Sequence, residues 1–246
     1  MSADRPIQDV DPAAIDPARP ALVHVTAHQV CCDDPWEAAY LRFETPEQEI
    51  QKFQTRLLRL GARDWPRDAR IVELFCGRGN GLRALDRLGF REVEGVDLSA
   101  TLLARYDGPS RCYVADCREL PFEDRSKDIV IIQGGLHHLP DLPADLERTL
   151  DEIRRVLGDE GRVVIVEPWL TPFLAFVHAV CDRRLARRLV AKVDALATMI
   201  EHERTTYEAW LGQPRVIMDA MTRRFDPIVS KQSWGKLQYV GRGRRG

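Results

Sequence analysis

Residues Ile71 to Asp97 constrain this chain more than any other stretch. Ile71-Val72-Glu73-Leu74-Phe75 is a short apolar run, Cys76-Gly77-Arg78-Gly79-Asn80-Gly81 follows it, and an amphipathic stretch leads to Val93-Glu94-Gly95-Val96-Asp97. That order reads as strand, glycine turn, helix, strand and terminal acid, which is what a nucleotide-like ligand needs. Gly77, Gly79 and Gly81 lack a Cβ, so the backbone can take positive φ and approach a ligand closely. A side chain at Gly77 or Gly79 is expected to fill the ligand's space. Asp97 lies 20 residues beyond Gly77, where a carboxylate can accept both ribose hydroxyls of an adenosine without a 2′-phosphate. The dinucleotide fingerprint would want glycine at position 82, which is Leu82, so pyrophosphate binding fits poorly.

The same alternation continues downstream. Arg111-Cys112-Tyr113-Val114-Ala115 leads into Asp116-Cys117-Arg118-Glu119-Leu120-Pro121-Phe122. Asp128-Ile129-Val130-Ile131-Ile132, ended by Gln133-Gly134-Gly135, is the continuous apolar run of a strand buried on both faces of a parallel sheet. Leu146, Leu150, Ile153, Val156 and Leu157 then recur at helical spacing up to a stop at Gly158, and Arg162-Val163-Val164-Ile165-Val166 makes a fifth strand ending in Glu167-Pro168. A βαβα order predicts an α/β, doubly wound sheet with its ligand at the carboxyl ends of the strands.

From Arg70 to Pro168 the chain resembles class I S-adenosylmethionine-dependent methyltransferases, in particular the small-molecule branch related to ubiquinone and menaquinone C-methyltransferases. Val72 to Gly79 is similar to the family's first motif, Asp97 to its ribose acid, and Asp116 to the acid that reaches the adenine amino group. Leu120-Pro121-Phe122, Gln133 to Leu139, and Glu152 to Leu157 with Gly161 resemble the later motifs. The resemblance implies S-adenosylmethionine as cofactor, contacted by Tyr40, Glu73, Phe75, Gly77, Gly79, Asp97, Leu98, Asp116, Cys117, Gln133, Gly134 and His138. Phe75 stands where the family usually has glycine, which changes how the methionine moiety packs. Glu73 has two readings, the ligand's ammonium or the backbone N–H groups of the glycine turn. The fold implied is a Rossmann-like, mostly parallel seven-stranded sheet with a C-terminal antiparallel hairpin, a helical N-terminal layer and a helical insertion.

The resemblance divides the chain into a tail (1–20), an N-terminal helical cap (21–66), the cofactor-binding core (67–168), a helical insertion over the acceptor site (169–222) and a strand pair with a basic tail (223–246). Pro6, Pro12, Pro17 and Pro20 predict a disordered or loosely laid tail. Residues 33 to 61 look helical, starting at Asp34-Pro35-Trp36. Trp36, Tyr40 and Arg42 are candidates to touch cofactor or substrate, with packing onto the core as the competing role for Trp36 and Tyr40. Leu185, Leu189, Val193, Leu196 and Ile200 predict one amphipathic helix, followed by a second ending near Met221. Pro227 to Gly241 predicts two strands about a turn near Trp234-Gly235. The insertion's apolar spacing would equally suit a dimer face.

With 36 basic and 38 acidic residues among 246, the net charge of −2 offers no field that recruits nucleic acid. The clusters Arg183, Arg184, Arg187, Arg188 and Arg242, Arg244, Arg245 read as solvated surface. Composition, 44% apolar and 30% charged, is that of a globular chain. The six cysteines form no C-x-x-C pair, and there is no signal peptide or long apolar run, so a cytoplasmic protein without membrane contact is expected. His24, His28, Cys31 and Cys32 match no standard zinc spacing, and no metal is expected. The partner expected is a small-molecule acceptor, with the chain a monomer or homodimer.

A sulfonium methyl donor needs an aligned nucleophile and exclusion of water rather than an enzyme nucleophile. A base is required only if the acceptor must lose a proton, and His137 and His138, after the fourth strand, are the candidates, His137 first. Holding the loop is the competing role for both. Glu167 could bind an acceptor hydroxyl or amine, or be an ordinary loop carboxylate. A protein or RNA acceptor is the alternative within the family, disfavoured because Gln133-Gly134-Gly135-Leu136 stands where an Asn/Asp-Pro-Pro-aromatic motif would be. A nicotinamide-dependent oxidoreductase, or a non-catalytic protein that keeps the pocket, are the alternatives outside it.

Overall fold

In the apolar runs, successive side chains face opposite layers, and this alternation decides what the sheet can pack against. The computed structural model describes residues 22–27 and 34–243. Val72 and Leu74, Val130 and Ile132, and Val163 and Ile165 enter one core layer, while Ile71, Ile129 and Ile131, and Val164 and Val166 enter the other. Both faces are therefore dry, as a parallel sheet requires.

In chain order the strands are β1 (Val23–His24), β2 (Ile71–Leu74), β3 (Val93–Asp97), β4 (Arg111–Val114), β5 (Lys127–Gln133), β6 (Leu157–Pro168), β7 (Phe225–Ser233) and β8 (Lys236–Gly243). They form one sheet in the order β1-β4-β3-β2-β5-β6-β8-β7, parallel except at β8 and β7. The described sheet thus has eight strands rather than the expected seven. Val23 and His24, inside the segment read as a helical cap, add a short parallel edge beside Tyr113 and Val114. The chain winds outward from β2 through β3 and β4, then returns to β5 on the other side of β2. The switch point therefore lies between β2 and β5, where a doubly wound sheet opens its ligand crevice.

The helices are α1 (Asp34–Phe43), α2 (Pro46–Leu57), α3 (Asn80–Arg87), α4 (Ala100–Leu103), α5 (Ala144–Val156), α6 (Pro172–Cys181), α7 (Arg184–Leu189), α8 (Ala191–Gly212) and α9 (Pro214–Arg224). The helical stretch expected over 33–61 is broken at Thr45, whose side chain caps α2 while Gln48 returns the bond to the Thr45 N–H. α5 ends at Val156, two residues before the expected glycine stop, because Leu157 already pairs with Lys127. The hairpin turns at Trp234 and Gly235 as expected.

The insertion differs in register from the expectation. No single amphipathic helix spans Leu185 to Ile200, because the chain breaks at Val190 between α7 and α8 and leaves Leu185 and Leu189 exposed. The stripe that α8 buries is Ala195, Met199, Tyr207 and Trp210. α1 packs along α8, with Arg42 paired to Asp194. Arg183, Arg184 and Arg188 lie on the surface, while Arg187 pairs with Asp194 and Glu201. The tail 1–20 and the residues His28, Cys31, Cys32, Arg244 and Arg245, named in the sequence reading, lie outside the described residues.

Trp210 anchors the insertion to the core. Its fully buried ring donates Nε1–H to the Pro168 carbonyl at 2.9 Å, at the end of β6. Trp210→Phe keeps most of the apolar surface but leaves that carbonyl without its donor, an expected loss of about 1–3 kcal/mol. Urea unfolding should show a lower midpoint at unchanged m; an unchanged midpoint would show that the bond does not hold the insertion.

Candidate active site

The glycine turn is locked from both ends of the β2–β3 unit. Gly77, at φ +52°, donates its N–H to Asp97 Oδ2 at 2.8 Å, and Ser99 donates its N–H to Oδ1 at 2.8 Å. Burial raises the Asp97 pKa, and these backbone donors work against the rise. Each oxygen keeps a lone pair for a further donor. A Cβ built on Gly77 would meet only Leu102, at 4.0 Å, so its open side is free for a ligand. Gly79 corrects the expectation: a Cβ there would lie 2.2 Å from the Tyr106 ring. Packing against Tyr106 and a φ of +76° both require glycine at that position.

Glu73 closes the floor of the crevice. It is 3% exposed, and burial, outweighing the Gln133 hydrogen bond, pushes its pKa up to about 8. Gln133 Nε2 donates to Oε1 at 3.3 Å, whereas Oε2 is buried with no hydrogen-bond partner. The reading in which the carboxylate takes the N–H groups of the turn is not what the hydrogen bonds show, since Gln133 is its one hydrogen-bond partner among the described residues. Arg56 on α2 donates to Gln133 Oε1 at 3.0 Å, giving a chain Arg56–Gln133–Glu73 across the switch point. Sequence reasoning missed Arg56, because an arginine in the polar stripe of an amphipathic helix carries no periodic signal.

Phe75 sits at φ +57°, the left-handed region where glycine is favoured, which gives a backbone reason for the family's usual glycine. Its ring lies against Gly135, where an added Cβ would come within 2.2 Å of it. Tyr40 stacks on Trp36 with centroids 5.3 Å apart, and the Arg78 guanidinium lies 5.0 Å from the Tyr40 ring centre, so α1 covers the glycine turn. Arg42 is turned away, to Asp194 on α8 at 3.2 Å. Asp116 accepts the Arg118 backbone N–H at 2.8 Å and its guanidinium at 2.7 Å, and Arg118 also reaches Asp145 at 2.7 Å. What Asp116 offers a ligand is the lone-pair capacity left over. Cys117 is buried, its sulfur 3.5 Å from the Thr149 hydroxyl, with burial pushing the thiol up to about 12. Leu98 is half-buried beside Asp97.

At the β5 edge, Gly134 takes φ +84° and the chain enters a single tight turn, Leu136–His138. Glu167, fully buried, accepts the N–H groups of Gly135 and Leu136 at 2.8 Å each and meets His137 Nδ1 at 2.7 Å. It is neither an acceptor contact nor an ordinary loop carboxylate; it fixes the turn. On the other side of the ring, His137 Nε2 faces Glu203 of α8 at 3.6 Å. Burial disfavours charge on His137, but the two carboxylates more than offset it and raise the pKa to about 9. A protonated ring donates rather than accepts protons at neutral pH, which goes against the base role expected of it. Burial, reinforced by the charge on His137, lowers His138 to about 4 and keeps it neutral. Glu203, missed in the sequence, lies on the α8 stripe that also carries Tyr207 and was hidden because a lone acid in a polar helix looks solvated.

Residues 72–165 match the family model described as methyltransferase domain. Over this stretch the chain is similar to methyltransferase domains. The chain is 33% identical over 153 residues to the demethylmenaquinone methyltransferase of Clavibacter sepedonicus, covering 58% of this chain and 60% of that relative. The chain therefore spans about three fifths of that relative's length. Among solved structures, the PH0226 protein of Pyrococcus horikoshii OT3 superposes with a TM-score of 0.63 at 18% identity, over 87% of this chain and all of that one. The geranyl diphosphate C-methyltransferase of Streptomyces coelicolor A3(2), solved with Mg2+, geranyl diphosphate and S-adenosyl-L-homocysteine, superposes with a TM-score of 0.56 at 16% identity, over 80% and 81% of the two chains. These superpositions show that the chain shares the fold of those proteins. Among the described residues, no helix is long and apolar enough to cross a membrane.

His137 makes stability depend on pH. Its folded pKa, about 9, lies above its ordinary value of 6.5. The stabilisation is thus complete below pH 6.5 and is lost as pH rises to about 9. The stability difference between the native chain and His137→Gln, from urea unfolding at intervals from pH 6 to 9.5, is expected to shrink across that window. A difference that stays constant would mean that the ring is not charged in the folded state.

Proposed function

We propose that the protein transfers a methyl group from S-adenosylmethionine to a small-molecule acceptor, and that it works in the cytoplasm. The observation that carries the reading is the pairing of the locked turn with an orphaned acid. Gly77 presents an open face, Asp97 is held with lone pairs to spare, and Glu73 Oε2 is buried without a donor. These groups fit an adenosyl amino acid: Asp97 suits ribose hydroxyls, Glu73 an ammonium, and Arg56 a carboxylate beside it. Leu98 and Asp116 flank the adenine end, with Gly134, Gln133, Phe75 and Tyr40 around the methionine end.

S-adenosylmethionine supplies an activated methyl group whose transfer is an in-line displacement. The chain's own contribution is alignment and exclusion of water. α1 and α8 roof the crevice, and holding the reactants together contributes about 7–11 kcal/mol in favourable cases. His137 acts as a charged positioning residue clamped between Glu167 and Glu203, not as the base. The acceptor is small, in this reading, because the Asn/Asp-Pro-Pro-aromatic sequence is replaced by Gln133-Gly134-Gly135-Leu136, and because the matched relative is named for a demethylmenaquinone. A nicotinamide cofactor is disfavoured by Leu82 and by the antiparallel β7–β8 pair.

Calorimetric titration with S-adenosylhomocysteine should show one site, and NADH should give no heat. Asp97→Ala is expected to weaken that binding by about 10- to 100-fold, since it deletes charge-assisted bonds of about 1.5–3 kcal/mol, with the circular dichroism spectrum unchanged. Unchanged affinity would remove the ribose assignment; absence of heat with the native chain would remove the cofactor.

A further inference from the structure

His137, His138 and Glu203 bring three metal-ligating atoms into one place at the end of β5. His137 Nε2 and Glu203 Oε2 are 3.6 Å apart, His138 Nε2 and Glu203 Oε1 are 4.0 Å apart, and all three side chains offer ligand atoms within 4.8 Å of one another. Zinc-type ions bind imidazole nitrogen and carboxylate oxygen at about 2.0–2.2 Å, so the edges of a tetrahedral site are about 3.4 Å. The observed spacings exceed that by a few tenths of an ångström to somewhat over one, which side-chain rotation covers. The rest of the arrangement points the same way. Glu203 Oε1 is buried without a hydrogen bond of normal geometry, and the carboxylate faces the Trp36 indole as well as the two histidines. Glu167, behind His137, bonds Nδ1 at 2.7 Å and so leaves Nε2 to face the cluster, where an incoming ion takes the place of the Nε2 proton that the ring carries in the ion-free protein. A carboxylate holding the far nitrogen of a histidine is the usual outer support of a metal-binding imidazole. Glu167 is itself fixed by two backbone N–H groups, so the imidazole's orientation is set by the sheet and not by the insertion.

We propose that His137, His138 and Glu203 form a binding site for one divalent transition cation of the zinc, cobalt or nickel type, with Glu167 as its supporting carboxylate. The ligand set, two imidazoles and one carboxylate, suits such ions better than magnesium or calcium, which take oxygen ligands. Two carboxylates balance the two charges of the ion. Three protein ligands leave a coordination position open, which is the pattern of catalytic rather than structural sites. The cluster lies beside Gly134 and Gln133, so the open position suits an acceptor carrying a hydroxyl or other oxygen ligand near the atom to be methylated. That last step rests on the methyl-transfer reading; uptake of the ion does not. The absence of a metal expected from the spacing of His24, His28, Cys31 and Cys32 is unaffected, because this site draws on residues 65 positions apart, from His138 to Glu203.

The test uses the full-length chain freed of any histidine tag and stripped with chelator. Zinc chloride is titrated by calorimetry without nucleotide, and cobalt chloride is followed by its visible ligand-field bands. One ion per chain is expected, with affinity falling at least tenfold in Glu203→Gln and in His138→Ala, and about 10- to 100-fold in Glu167→Gln. Cys31→Ser/Cys32→Ser should bind as the native chain does. Lack of uptake, or uptake lost only in the cysteine variant, would overturn the site. S-adenosylhomocysteine affinity, measured on the same preparations, reports folding of each variant and tests the cofactor reading separately, so failure of one leaves the other standing.

Discussion

The carboxylate of Glu167 is the point through which the parts of this molecule are tied. It ends a central strand, fully buried, and a charge there is tolerated only because three donors surround it: two backbone N–H groups of the β5 turn and the imidazole of His137. Those bonds determine how the chain leaves β5, and thereby the direction of Gly134, His137 and His138. They also pass the charge outward, because the imidazole held by Glu167 meets Glu203 on α8. A single acid in the sheet thus sets the geometry of a turn and bears on the docking of α8 through Glu203, more than thirty residues later in the chain.

The two helical additions pack together against the glycine turn and the turn after β5. α1 packs along α8, Arg42 pairs with Asp194, and Tyr40 leans on Arg78 of the glycine turn. α2 supplies Arg56 to Gln133 and Glu49 to Asn80 at the start of α3. The cap therefore grips the turn through charge-bearing side chains, while the insertion grips the sheet through Trp210 and Glu203. The exposed ion pairs among these contribute little individually, of the order of 0–1 kcal/mol; orientation is what they provide.

The core could be read from the sequence because its physics is local. Uninterrupted apolar runs such as Ile129 to Ile132 suit a doubly buried strand, and glycines between a strand and a helix mark a turn whatever surrounds them. The strand at Val23 was hidden because two residues are too few for a period. The insertion was misregistered for a different reason: Leu185 and Leu189 have the apolar character of a buried stripe, yet the chain breaks at Val190 and buries Ala195 and Met199 of α8 instead. At the site, Asp97 and Glu73 announced themselves by their places at strand ends. Glu203 and Arg56 did not, since a charged residue on a helix looks solvated until tertiary structure turns it inward. His137 was found for its position, but its charge state depends on two carboxylates distant in sequence.

Asp97 has a consequence beyond ligand contact. By accepting the N–H of Gly77 and of Ser99, it freezes the loop before anything arrives. The conformational entropy of ordering those residues is therefore charged to folding rather than to association. Preorganisation of this kind lets a modest number of polar contacts yield useful affinity, and it couples tightness of binding at the loop to the integrity of the second strand, so that loosening β3 would slacken recognition without touching a ligand-facing atom.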